Sequence, residues 1–286
     1  MEPWKRTPSI ALALPVSLVS DVPHLREKTS KVGLVARAAA AFRIDEIIIY
    51  RDRPYENQDR EAELVVTLLR YIETPQYLRK LLFPADPLLQ YAGILPPLRT
   101  PHHPLEKHSD HLRSREFREG VVVGKIGTRE SIEIGVERPA VLPESLPEKT
   151  RVTVQVDAIS KESIRVRRVD SSEIGIYWGF QVSDSKRTLS NAIRKGLFDL
   201  TVATSRSGKP LTEAIEEIRE RCRSAQRILV AFGSPREGLD KILAKEGLAI
   251  DSMCDFNVNT VPLQGVETIR TEEAVWATLA IFNLMI

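Results

Sequence analysis

Apolar positions change period twice within the first fifty residues. Residues 9–19 form a compact apolar run that predicts a buried strand. Residues 22–42 carry apolar positions at helical spacing, and Asp45-Glu46-Ile47-Ile48-Ile49-Tyr50 predicts a second buried strand. Strand, helix and strand in that order form the unit of a parallel sheet. Helices are predicted near 61–72 and 75–83, the second with Pro75 in its first turn, where a missing N–H costs nothing. From Leu95 to Asp110 proline and histidine dominate and the period vanishes, which predicts a linker.

The pattern then changes character. Between 116 and 170 lie short β-branched runs with period two, punctuated by Gly or Pro: Gly120–Gly124, Ser131–Gly135, Arg151–Val156 and Ser163–Arg167. Clustered short strands of this kind predict a small OB-like β-barrel. Strands near 176–182, 199–204, 227–232 and 256–259 then alternate with helices near 187–195, 211–222 and 238–246. The expected architecture is therefore α/β: a split parallel-sheet domain, 1–101 and 171–286, with a linker at 102–115 and a barrel inserted at 116–170.

Composition narrows the classes. The 286 residues suffice for a large apolar core, and a net charge of +2 neither demands nor opposes a nucleic-acid partner. No apolar stretch reaches the roughly 20 residues of a membrane span, and the start does not read as a signal peptide. Cys222 and Cys254 lack metal spacing, so a reducing cytoplasm is the expected location. His102, His103, His108, Asp110 and His111 are donor types that zinc accepts. In a linker they read better as solvated residues or an RNA contact, and no metal is expected.

Three strand ends carry the candidate chemistry: Thr204-Ser205-Arg206-Ser207-Gly208, Gly233–Gly238, and Asn259-Thr260 with the loop to Thr271. Ligands of open α/β sheets sit beyond the carboxyl ends of strands, and glycine there admits a ligand to the backbone. Each loop also has a bland reading. A Gly-bounded turn can be mere geometry, first-turn acids such as Glu272 and Glu273 suit a helix dipole, and Arg206 and Arg270 can be surface cations. The second loop lacks the Gly-Lys-Ser/Thr of a phosphate cradle and the Gly-x-Gly-x-x-Gly of dinucleotide binding. The last helix, Ala274–Phe282, is apolar on most faces, which predicts cover by a second subunit or burial within one.

Taken together, the loop order and Asn259-Thr260 followed by Thr268-Ile269-Arg270-Thr271-Glu272-Glu273-Ala274 resemble the C-terminal knot of SPOUT-class (trefoil-knotted) RNA methyltransferases. The resemblance extends along the archaeal and eukaryotic branch with an inserted OB-like domain, through Thr74–Lys80, Pro101–Pro104, Glu116–Val123 and Gly175–Phe180. The second loop has fewer glycines than many relatives.

The resemblance implies S-adenosylmethionine held in a pocket of knotted loops near 199–286, a homodimer, and RNA, most readily ribosomal, as substrate. The residues it implies for the cofactor are Thr204, Phe232, Gly233, Gly238, Asn259, Thr260, Val261, Gly265, Ile269 and Thr271. Arg206 would act on RNA or on acceptor activation, with Arg270 or Glu272 assisting the proton step. The acceptor would be a base nitrogen such as uridine N3, or a ribose 2′-hydroxyl. The alternative is a non-catalytic RNA-binding or assembly protein that keeps the fold.

Overall fold

The computed structural model describes residues 3–193 and 196–286, and they divide into two compact units. The first contains Arg6–Ile72, Leu88–Leu98 and Phe180–Ile286. Its six-stranded sheet has the order β11-β9-β10-β1-β2-β8: β1 (Ser9–Pro15), β2 (Glu46–Arg51), β8 (Gln181–Thr188), β9 (Leu200–Pro210), β10 (Arg227–Phe232) and β11 (Phe256–Asn259). Every neighbouring pair is parallel. The central strands are apolar on both faces, as a sheet covered on both sides requires.

The two faces differ in bulk. Ile10, Leu12 and Leu14 of β1 pack beneath α1 (Leu25–Ala41), α2 (Asp59–Glu73), α5 (Leu211–Ser224) and α8 (Thr271–Met285). Ala11 and Ala13 face the other way, toward the short helices α4 (Leu189–Ala192), α6 (Leu239–Ala244) and α7 (Ile250–Met253).

Several expectations shift. Strand β1 stops at Pro15, and Val16–Val19 form a 3-10 turn, since proline has no N–H to continue the ladder. Strand β8 starts at Gln181 rather than near 176, because Gly179 takes φ +88° and turns the chain. Its sequence, QVSDSKRT, is that of a polar sheet edge, which an apolar-run criterion passes over. The helix expected at 187–195 is only Leu189–Ala192, with 194–195 outside the described residues. Helix α7 and strand β5 (Ala140–Leu142) were too short to leave a period.

The second unit holds, of the described residues, 3–5, 73–87 and 99–179. Strands β3 (Phe117–Ile126), β4 (Arg129–Glu133), β5, β7 (Ile164–Arg168) and β6 (Arg151–Ile159) close into a barrel in that order. All pairs are antiparallel except β5–β7. Val152, Val154 and Val156 point inward in strict alternation.

Residues 102–115 are exposed over much of their length but tied down at three points. His102 and Ser109 are fully buried and Leu112 joins the barrel core. The unit also takes in α3 (Gln76–Leu82), whose Tyr77 hydroxyl donates to the Glu119 carbonyl at 2.9 Å. Charge explains this wider boundary. Arg151 of β6 donates at 2.6 Å to both Glu73 and Glu119, while His102 Nε2 lies 3.1 Å from Glu73 Oε1. Burial would push the Glu73 carboxyl up, but the His102 hydrogen bond and the Arg151 charge prevail and hold it at about 2.

Candidate active site

A cavity of about 310 Å3 lies at the carboxyl ends of β9, β10 and β11, lined by all three loops. That volume falls at the lower end of small-molecule sites, roughly 300–1,000 Å3.

The first loop is a bulge inside β9. Asn257 of β11 pairs with Ala203 but the next residue, Val258, pairs with Lys209, so residues 204–208 leave the β11 ladder while Thr204 stays paired with Phe232 of β10. Glycine at 208 permits this: a β-carbon there would stand 2.6 Å from the Val258 carbonyl carbon. Thr204 is anchored through its hydroxyl to the Ala231 carbonyl at 2.8 Å, and Ser205 and Ser207 share a hydroxyl contact of 2.9 Å. Arg206 is exposed, and its guanidinium donates to the Glu267 carbonyl at 2.9 Å, joining the first loop to the third.

The second loop leaves β10 at Phe232. The fully buried Tyr50 hydroxyl donates 2.7 Å to the Phe232 carbonyl and so fixes the loop's starting point. Burial, the Asp52 charge and the Glu246 charge push that phenol well up, so it remains a donor. The turn is closed by Ser234 N–H donating to the Glu237 carbonyl at 2.9 Å and by Glu237 N–H donating to Ser234 Oγ at 3.0 Å. Glu237 itself is ion-paired with Lys245.

In the third loop Asn259 does two jobs. Its Oδ1 accepts Val261 N–H at 3.0 Å, an Asx turn, and its Nδ2 donates to the Arg206 carbonyl at 3.1 Å. Thr260 and Thr278 share a buried hydroxyl contact of 2.8 Å, fastening the loop to α8. Thr271 reaches back to the Gly233 carbonyl at 3.4 Å.

Most of the expected site residues therefore converge: Thr204, Arg206, Phe232, Gly233, Gly238, Asn259, Thr260, Val261, Ile269 and Thr271 all line the cavity. Gly265, Arg270 and Glu272 do not. Gly265 is exposed, with nothing within 4 Å of where a β-carbon would lie. Arg270 is exposed at the helix cap, its backbone N–H donating to Glu273 at 2.9 Å. Glu272 is turned away and buried 3.2 Å from Lys31, which also pairs with Asp21, so it stabilises the start of α8. Ser205, Ser207, Arg236 and Glu237, which the candidate loops contained without an assigned role, also line the cavity, as do Asp240, Lys241 and Gln264, which sequence reasoning did not single out. The Gly233–Gly238 bracket was the available signal for the middle of that group.

The lining is partly apolar. Phe232, Val261, Ile269 and Ala274 supply apolar wall. At Gly233 a β-carbon would come within 2.9 Å of the Glu237 carbonyl, so the loop has room only for bare backbone.

The sequence profile of the family described as "Putative RNA methyltransferase" matches residues 9–282. The chain belongs to this family. A Halobacterium salinarum protein described as uncharacterized is 38% identical, over 96% of this chain and 98% of its own length. A Mus musculus protein named 28S rRNA (uridine-N(3))-methyltransferase is 31% identical, over 95% of this chain and 75% of its own. A Homo sapiens protein of the same name is 30% identical, over 95% and 77%. The span that matches the RNA methyltransferase family includes residues of both units and all three cavity loops.

Proposed function

We propose that this RNA methyltransferase moves a methyl group from S-adenosylmethionine to N3 of a uridine in ribosomal RNA. The observation that carries the reading is the single cavity built by the β9, β10 and β11 loops, in a chain whose relatives are named for that reaction. Those names favour the base nitrogen over the ribose 2′-hydroxyl.

Within this reading Phe232, Val261 and Ile269 give the adenine an apolar slot, and the Gly233–Gly238 backbone comes close enough to hydrogen-bond it. Asn259 and Thr271 offer polar contacts to the remainder. The bound cofactor supplies a methyl already activated on a sulfonium, so the protein's work is orientation and the handling of one proton. Arg206, exposed at the mouth with a planar charged fork, suits a phosphate of the RNA.

The proposal includes a SPOUT-type trefoil knot near 199–286, supported by the fastening of the third loop and α8 to the Gly233 loop. It includes a homodimer through α8, where Leu284 is 81% exposed beside the partly buried Ile281. The closed five-stranded barrel, with its one parallel pair, supports an OB-like unit that holds RNA through Arg165 and Arg168, both exposed on β7. A reducing cytoplasm suits the two free thiols of Cys222 and Cys254. Among the described residues no helix is long and apolar enough to cross a membrane, and no cluster of His, Cys, Asp and Glu could hold a metal.

Calorimetric titration with S-adenosylmethionine and S-adenosylhomocysteine, beside NADH and ATP, tests the cofactor. Tritiated-methyl transfer to ribosomal RNA followed by nucleoside analysis tests the acceptor. Saturable binding of the first pair alone and recovery of 3-methyluridine are expected. A 2′-O-methyl nucleoside would overturn the base assignment, and a folded protein that binds neither would overturn the enzyme reading.

A further inference from the structure

Methylating a uridine at N3 creates a proton problem. The methyl joins N3 as its bond to sulfur breaks and that electron pair stays on sulfur, so the reaction closes only when the N3 proton is accepted. The group that accepts it must line the cavity and have a free lone pair.

Elimination leaves one side chain well suited to the task. Among the described residues no histidine or cysteine lines the cavity, and its arginines and Lys241 are cationic donors with no lone pair to offer. Among the described residues only two acids line it, Glu237 and Asp240. Glu237 is ion-paired with Lys245. Among the described residues the Asp240 carboxylate has no hydrogen bond or ion pair, and it is half-buried in the wall. A β-carbon built on Gly238 would stand 2.5 Å from Asp240 Oδ1 and 3.7 Å from Ser205 Oγ. The carboxylate therefore bends back over the glycine, and the Ser205 hydroxyl borders the same glycine. Arg206 and Arg236 also line this cavity.

We infer that Asp240 is the catalytic residue that takes the uridine N3 proton, an inference that rests on the proposed reaction. The uracil imide edge reads acceptor, donor, acceptor. A carboxylate facing N3–H, with the Ser205 hydroxyl beside it as a donor to a flanking carbonyl, complements that edge. As the carboxylate removes the N3 proton, the electron pair of the N–H bond stays on nitrogen and forms the new bond to the methyl carbon. The proton leaves N3 for a carboxylate oxygen and passes from there to solvent.

The test is Asp240→Asn in the full chain, which keeps shape and polarity but removes the proton acceptor. Calorimetry with S-adenosylhomocysteine is expected to match the unsubstituted protein within about twofold. Single-turnover methylation of a uridine-containing RNA is expected to fall by about 10²–10⁴-fold. Replacing the target uridine with 5-fluorouridine, whose imide is more acidic, is expected to recover a large part of the loss in the variant and to change the unsubstituted rate little. Affinity for S-adenosylhomocysteine reduced tenfold with the saturated rate intact would overturn the inference by making Asp240 a cofactor ligand. An unchanged rate would overturn it as well. If the unsubstituted protein yields no 3-methyluridine, the proposed reaction fails instead, and the two failures are told apart by that control.

Discussion

Gly233→Ala tests whether the second loop works as bare backbone. A β-carbon at 233 would meet the Glu237 carbonyl oxygen at 2.9 Å and both Gly238 Cα and Leu239 N at 3.2 Å. All three are main-chain atoms, so no side chain can swing aside to make room. Nor is the Glu237 carbonyl free to retreat, because it accepts Ser234 N–H at 2.9 Å in the turn that closes the loop. At the other end the Phe232 carbonyl is held by Tyr50. Forcing one carbon into such packing costs about 1–3 kcal/mol. If the strain is relieved by displacing the loop, that amount appears as a loss of roughly 5- to 150-fold in cofactor affinity. If the loop holds, it appears as lower stability. Titration with S-adenosylhomocysteine, run beside urea unfolding, reads both. Gly265→Ala is the matched control, since a β-carbon there meets nothing within 4 Å, and both readings should stay near the parent's. A Gly233→Ala protein with parent-like affinity and an unchanged unfolding midpoint would refute the reasoning.

Tyr50→Phe removes a buried donor and leaves the Phe232 carbonyl short of one partner; the expected cost is about 1–3 kcal/mol of stability by urea unfolding, with weaker cofactor binding. Glu73→Gln is expected to destabilise the barrel unit by about 3 kcal/mol, since it takes a carboxylate from Arg151 and leaves that charge with Glu119 alone. With its pKa lowered from 4.5 to about 2, Glu73 contributes stability that is fully present above 4.5 and is lost as pH falls toward 2. The parent's stability should therefore decline across that window, and the Gln variant's should decline less steeply. Arg236→Ala with Lys241→Ala removes two exposed cations from the cavity lining. It is expected to leave S-adenosylhomocysteine binding unchanged and to flatten the slope of log affinity for single-stranded RNA against log salt by about 1 to 1.5. An unchanged slope would exclude both from contact with phosphate.

The sheet was legible because its central strands are buried on both faces. Ile47-Ile48-Ile49 and Ile228-Leu229-Val230 leave no polar phase to misread. Where burial is one-sided or absent, the pattern misled. Strand β8 is a polar edge, and the apolar Ile176, Tyr177 and Trp178 upstream were mistaken for its start, although Ile176 instead bridges to Trp4. The linker reading holds for the exposed His108, Asp110 and His111 but not for His102, for a related reason. Proline and histidine normally mark exposed chain, but here His102 is sealed in by Glu73 and by a glycine at 179, where a β-carbon would come 2.5 Å from His102 Cε1. A pairing across 78 residues between Glu73 and Arg151 leaves no local trace in the sequence.

The cavity was more legible than the chemistry inside it, and the difference is physical. Loops that hold a ligand with main-chain groups must be short and must admit close approach, so glycine and Asx residues mark them whatever the ligand is. Gly208, Gly233 and Asn259 are each explained by a single distance or hydrogen bond within the loops themselves. The role of a charged side chain carries no such mark, because it depends on which partner it finds. Glu272, Glu237 and Asp240 are all acids near a helix start or a loop end, alike in sequence. Lys31 claims the first and Lys245 the second. Only the third remains available to a substrate, and neither lysine could have been matched to its acid by spacing along the chain.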